Sequence, residues 1–303
     1  MDINPSDAAA IKRSLEELNP INVTKAEEVL KEIKQVMDDL GILFFLRKGT
    51  CLGAVRDNAL IPWDDDMDIG SMIGRNGLTE QSIDRVIAAL KDKGFLIQVD
   101  TLDYAISVIT LKSSVRTDWM VHRVIDDSTF HWPGVRIPAQ ILTDSVEIDF
   151  LGEKFRVPNP VEEYLSLMYG AEWMVPKRAG QYEKDVVEKI PMNSLPGHAG
   201  KLKRFGINHL MPWLATRIRV LDADGRPVSG AEVTAVGMDN SVTNSRGYAK
   251  LYIPYAFLYS IIIKYDNHEE VLYEENISPR ETYIYRADSQ ITAGRNFILV
   301  PEV

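Results

Sequence analysis

Residues 49–70 read "GTCLGAVRDNALIPWDDDMDIG". Small residues and an arginine fill the first half. In the second half Asp64, Asp65, Asp66 and Asp68 crowd together beside Pro62, Trp63, Met67 and Ile69. Acidic runs ordinarily sit in solvated loops, yet this one is enclosed by apolar residues. Read as a strand, "DMDI" turns Asp66 and Asp68 to one face and Met67 and Ile69 to the other, toward a core. Two carboxylates about 7 Å apart along one strand face can converge on a single divalent cation. Without it, like charges repel by about 4 kcal/mol at about 4 Å and an effective dielectric of about 20. Hard oxygen donors in this arrangement suit Mg2+ or Mn2+. Asp64 and Asp65 read as groups that shape the loop. A solvated turn whose aspartates cap a helix is the plain alternative, and the residues upstream weigh against it.

Those residues are "KGTCLGAVRD". The chain leaves a strand at Lys48, turns at Gly49-Thr50, and enters a short helix, Cys51 to Arg56. Gly49 permits close backbone approach, and free amides at a helix start attract phosphate. Thr50 offers a hydroxyl, Lys48 a charge, and Arg56 a bidentate phosphate contact. Trp63 reads first as packing and second as a stacking surface for a base or a quaternary ammonium.

The 303 residues suggest about two domains, and a formal net charge of −10 argues against a nucleic-acid binder. The single cysteine, Cys51, excludes an internal disulfide and multi-cysteine zinc sites and fits a reducing compartment. No stretch approaches 18 apolar residues and the N-terminus lacks a signal-peptide pattern. The expectation is a cytoplasmic protein, with peripheral contact at the inner face of the membrane left open and the oligomeric state undetermined.

Two textures divide the chain near residue 213. Before it, helices and strands alternate. "TKAEEVLKEIKQVMDDLG" predicts a helix opened by a Thr24–Glu27 capping box and closed by Gly41. Strands follow in "ILFFLRK", "FLIQV", "AISVITLK" and "DWMVHRVI", with helices over 79–93 and 160–170. This predicts an α+β domain, a mixed sheet flanked by helices, over residues 1–213. Over 214–303 the period is two, as in Ile218 and Val220, Val233 and Ala235, Leu251 and Ile253, and Ile261 and Ile263. Turn signals recur at hairpin spacing, which predicts an all-β sandwich. The basic "KLKR" at 201–204 reads as a solvated run.

The glycine element followed by Asp-apolar-Asp-apolar resembles the nucleotidyltransferase superfamily, and the whole 49–70 stretch resembles the signature of its LicD/fukutin-related group. "IDFLGEKFRVPNPVEEYLSLMYGAEWMVPK" is similar to that group's second block, so the resemblance covers roughly residues 28–180. It implies a nucleotidyltransferase-like fold and transfer of a phospho-alcohol, phosphocholine or a phospho-polyol, from a CDP-linked donor to a glycan or glycolipid hydroxyl. It implies Asp66 and Asp68 as metal ligands, with Gly49 and Thr50 cradling donor phosphates. It also implies a third carboxylate on a neighbouring strand. Asp118 in "RTDWMVHRV", where Asp118, Met120 and His122 share a face, is the first candidate; Asp144 and Asp149 are rivals, and Glu147 shares a face with Asp149. Asp66, Asp68 and Asp118 are thus the expected catalytic and metal-holding set. Lys48, Gly49, Thr50, Arg56 and His122 are the expected donor-binding set. Cys51 stands where members commonly carry Leu, and the cysteine-rich zinc insertion of eukaryotic relatives has no counterpart here.

"VLDADGRPVSGAEVTAVGMDNSVTNSRGYAKLYIP" resembles the carboxypeptidase regulatory-like, or transthyretin-like, sandwich, and carries no catalytic constellation. Two other readings compete with the transferase. One is a true nucleotidyltransferase adding NMP to a small molecule or sugar. The other is a non-catalytic glycan-binding protein on a transferase fold.

Overall fold

The computed structural model describes residues 4–75, 77–132, 134–177, 184–187, 190, 206, 212–288 and 295–302. They divide into two compact units, Met1–Phe130 with Arg136–Met174, and His131–Val135 with Val175–Val303. The units part after Met174, upstream of the edge at 213 read from the sequence, and most of the residues between lie outside the described set. No helix among the described residues is long and apolar enough to cross a membrane.

The first unit opens with helices α1 (Pro5–Glu17) and α2 (Val23–Asp39). The Thr24–Glu27 box is not the start of α2. Asn22 caps it, its side chain accepting from Lys25 N, so the helix begins upstream of Thr24. The expected apolar face holds, with Ala26, Val29, Leu30, Ile33, Val36 and Met37 buried, and Gly41 at φ 67° ends the segment.

Next come β1 (Phe45–Leu46), α3 (Lys48–Arg56), β2 (Asp66–Met72), α4 (Glu80–Asp92), β3 (Leu96–Thr101), β4 (Ala105–Lys112) and β5 (Val115–His122). The five strands form one mixed sheet in the order β1-β2-β5-β4-β3. β2 and β5 run parallel, and the other neighbours are antiparallel. The expected strand over 42–48 is cut to Phe45–Leu46, because the chain turns into α3 directly after Arg47. β5 starts and stops earlier than "DWMVHRVI", since its partner β4 begins at Ala105, opposite His122. α1 packs on β3 and β4, α2 on β5 and α4, and α4 on β3.

Two short hairpins, β6 (Ser128–His131) with β7 (Val135–Pro138) and β8 (Val146–Phe150) with β9 (Glu153–Val157), flank α5 (Ala139–Thr143). α6 (Val161–Tyr169) packs on α3 and ends at Gly170, φ 82°.

The second unit carries β10 (Thr216–Leu221), β11 (Glu232–Ala235), β12 (Asp239–Val242), β13 (Tyr248–Leu251), β14 (Phe257–Tyr265), β15 (His268–Ile277), β16 (Thr282–Arg286) and β17 (Val300–Pro301). They make two four-stranded sheets, β13-β10-β16-β17 and β12-β11-β14-β15. The alternating residues expected to face inward, from Ile218 to Ile263, all lie in one buried cluster shared by both sheets.

Candidate active site

The site is set by one register. β2 and β5 pair in parallel with Asp66 opposite Arg116 and Asp68 opposite Asp118. Residues paired across parallel strands share a face, so these four side chains project together. Their neighbours Met67, Ile69, Thr117 and Trp119 are buried on the other face. The rivals for third carboxylate lie elsewhere. Asp144 ends α5, and Asp149 sits on β8, outside this sheet, paired with Lys154 at 2.7 Å.

α3 locks Asp68 in place. Asp68 N–H donates to Thr50 Oγ1 at 2.8 Å, and Arg47 N–H donates to Asp68 O at 3.1 Å. The Thr50 hydroxyl oxygen thus fastens the backbone of β2, a task that its sequence does not announce. Lys48, not Cys51, is the first residue of the helix. It takes a φ of 42° and donates its N–H to Tyr164 Oη on α6 at 3.0 Å. Gly49 makes room for Asp64, since a Cβ there would run into the Asp64 carboxylate and displace it. Asp64 therefore sits against the start of α3, and each of Asp64, Asp65 and Asp66 offers an oxygen within 4.8 Å of the others.

Three cationic side chains answer these carboxylates. Arg47 NH1 lies 3.2 Å from Asp68 Oδ1, Lys48 Nζ 4.0 Å from the same oxygen, and Arg116 NH2 2.5 Å from Asp66 Oδ2 and 2.7 Å from Asp65 Oδ2. Five carboxylates against three cations leave the fully ionised cluster short of positive charge. The deficit registers in the carboxyls. Burial, opposed by Arg116 and reinforced by Asp66, pushes Asp118 up to about 7. Burial and Asp66 push Asp65 up to about 6. Asp64 is raised well above the usual range by burial and by its three acidic neighbours, and Asp68 is raised by burial against Lys48 and Arg47.

A divalent cation fits this donor set. The ligands are hard oxygens, the charge is in deficit, and Asp118 Oδ1 is buried with no hydrogen-bond partner among the described atoms. The side chains of Asp65 and Asp118 are 26% and 25% exposed, so solvent reaches the cluster.

Of the expected donor-binding residues, Arg56 is not brought here, and His122 lies near Arg47 and Lys48 but is buried. Arg56 lies at the far end of α3, roughly 12 Å from Lys48 along the axis, with Nε and NH2 on the Asp57 carboxylate. His122 is fully buried and stacked on Phe45 at 6.5 Å; burial and the charges of Arg47 and Lys48 lower its pKa well below the usual value. Trp63, expected to pack, is 54% exposed. Arg123 pairs with Glu80, and His131 is buried. The basic run 201–204 lies outside the described residues. Arg47, Arg116 and Tyr164 were not singled out by sequence. For Arg116 a signal existed, because it stands two residues before Asp118 and must share its strand face.

Residues 41–160 match the family model described as LicD/FKTN/FKRP, nucleotidyltransferase domain. The chain is 24% identical over 201 residues to human "Ribitol-5-phosphate transferase FKTN", covering 61% of this chain and 38% of that protein. It is 25% identical over 159 residues to human "Ribitol 5-phosphate transferase FKRP", covering 50% and 32%. The chain thus spans well under half the length of these curated relatives. A solved structure of the antibiotic-resistance factor ANT(2'')-Ia is similar at 14% identity and a TM-score of 0.33, covering 45% of this chain and 66% of that one, too slight a likeness to carry an argument. The family match and the two relatives support the LicD family for the segment that holds α3, β2 and β5.

Proposed function

We propose that this chain is a metal-dependent transferase that moves a phospho-alcohol from a CDP-linked donor to a hydroxyl of a glycan or glycolipid precursor. The observation that carries the reading is the face shared by Asp66, Asp68 and Asp118 beside the start of α3, inside the segment that matches the LicD/FKTN/FKRP model. The names of the relatives favour a phospho-polyol, ribitol phosphate first, over phosphocholine.

In this reading Asp66, Asp68 and Asp118 hold Mg2+ or Mn2+. Such a cation would screen donor phosphate charge and ease departure of CMP. The Gly49 and Thr50 amides and Lys48 Nζ take the donor diphosphate, at a helix start where anions are favoured. Lys48 steadies the charge that grows on the leaving group. Asp118 would also accept the proton of the attacking hydroxyl. The second unit, as a carboxypeptidase regulatory-like sandwich over 214–303, would bind acceptor or brace the enzyme. A single buried cysteine, Cys51, suits a cytoplasmic setting or the inner face of the membrane.

The test is a thermal-shift screen of CDP-ribitol, CDP-glycerol, CDP-choline, CTP and ATP, with and without Mg2+. A ligand at about 100 times its Kd adds about 2.7 kcal/mol to the native state. The expected result is a rise with CDP-ribitol that needs Mg2+, followed in turnover by release of CMP and no pyrophosphate. If no cytidine nucleotide moves the melt with metal present, the reading falls.

A further inference from the structure

The carboxylate cluster already contains a cation of its own. Arg116 lies among the acids with its side chain only 6% exposed. Its NH2 donates to Asp65 Oδ2 and to Asp66 Oδ2, and its Nε stands 3.6 Å from Asp118 Oδ1, beyond hydrogen-bond distance. NH1 donates to Ser14 O of α1 at 2.7 Å, which fixes the guanidinium from behind. One side chain therefore touches two of the three acids assigned to the metal, Asp66 and Asp118, and also Asp65.

A guanidinium fork and a divalent cation want the same thing from a carboxylate, namely its lone pairs at short range. Asp66 Oδ2 cannot give its full charge to both. The Nε–Asp118 geometry shows where the arginine is weakest: it holds Asp118 by charge alone, leaving Oδ1 unbonded. Asp65, by contrast, is a partner that Arg116 could keep while releasing the other two.

We propose that Arg116 is a built-in counter-cation. It holds the acids together when no metal is bound, competes with the metal for Asp66 and Asp118, and retires onto Asp65 and Ser14 O when the metal enters. Arg116 is a positioning residue in this scheme. It lets the apo chain fold with its acids clustered, and it weakens metal binding in doing so. The inference rests on the reading of this site as a cation site.

The experiment is direct Mn2+ binding, followed by the electron paramagnetic resonance signal of free Mn2+, on the whole chain and on Arg116→Gln and Arg116→Lys. Removing a unit charge this close to the ligands should tighten Mn2+ binding about tenfold or more in R116Q. R116Q should also melt lower than the parent without metal, and gain more on adding Mn2+. R116K keeps the charge and should bind Mn2+ within a few-fold of the parent. If R116Q binds Mn2+ no more tightly than the parent, Arg116 organises the site instead of competing for it, and the inference is overturned. Should R116Q be unfolded without metal, recovery of its native circular dichroism by Mn2+ supports the inference, and failure to recover overturns it. Absence of Mn2+ binding to all three chains would instead remove the cation reading itself, and this inference with it.

Discussion

Asp118 in the first unit is a half-buried carboxyl and Glu275 in the second a buried one, and both are pushed up to about 7, in each case chiefly by loss of water around the charge. They differ in what faces them. Glu275 accepts Ile298 N–H on Oε1 and Leu299 N–H on Oε2, each at 2.8 Å. Its neighbour Glu270 is equally well served, with Arg295 Nε at 2.6 Å on Oε1 and NH2 at 3.0 Å on Oε2, and Tyr285 Oη donating to Oε2 at 2.5 Å. Tyr285 Oη in turn lies 2.6 Å from His268 Nε2. Asp118 Oδ1 has no such donor, and the acids around it press on one another. Buried acid is therefore not in itself a sign of function. Where every oxygen has a donor, it fastens chain segments together. Where oxygens outnumber donors, as at Asp118, the donor set is one that a cation would fit.

The comparison is tested first where the largest effect is expected. Asp66→Asn removes one proposed ligand with almost no change of shape. Turnover of a CDP-linked donor should fall by about 10^2 to 10^3-fold or more, with the native fold retained by circular dichroism. Near-normal turnover would mean that the deficit of donors at this cluster has another meaning. Glu275→Ala addresses the satisfied acid. It leaves two backbone N–H groups without an acceptor, at about 1–3 kcal/mol each. Denaturant melts should show a loss of about 2–6 kcal/mol, and the Ile298 and Leu299 amides should exchange hydrogen faster. An unchanged melt would mean that Glu275 fastens nothing.

Much of this contrast could be read in advance where the signal was local. The alternation of Asp66, Met67, Asp68 and Ile69 places two acids on one face, and it does so in the structure. β4 occupies the stretch "AISVITLK" and no more, because an apolar run bounded by turns defines both its ends. The period of two beyond residue 213 likewise finds the inward residues of both sheets. What stayed hidden depends on register and long-range partners. Arg116 meets Asp66 only because β2 and β5 pair in parallel with those two residues opposite. The helix begins at Lys48 where a hydroxyl 116 residues away accepts its N–H, and no periodicity within "KGTCLGAVRD" records that. Arg56 illustrates the reverse error. It looked available as a free cation near a glycine turn, but the adjacent Asp57 takes its guanidinium.

The smallest effect is on the pH dependence of stability, and it separates the two regions by their response to metal. Both carboxyls have folded-state pKa values near 7, against ordinary values of 3.8 for Asp118 and 4.5 for Glu275. The folded chain therefore holds protons that the unfolded chain has released, so stability must fall as pH rises between about 4 and 7. Without metal the melting temperature should be highest at the acid end of that window and decline through it. Glu275→Gln should remove the second unit's share of the decline, because an amide does not titrate, and Mg2+ should leave that share untouched. Mg2+ should act on the first unit's share, since a cation takes Asp118 in its ionised form and offsets the fall more strongly as pH rises. In the Glu275→Gln chain with Mg2+ present, the profile should be nearly flat between about pH 5 and 7. A profile in Glu275→Gln that Mg2+ leaves as steep as before would mean that the cation does not take Asp118 or the raised acids beside it, Asp64, Asp65 and Asp68.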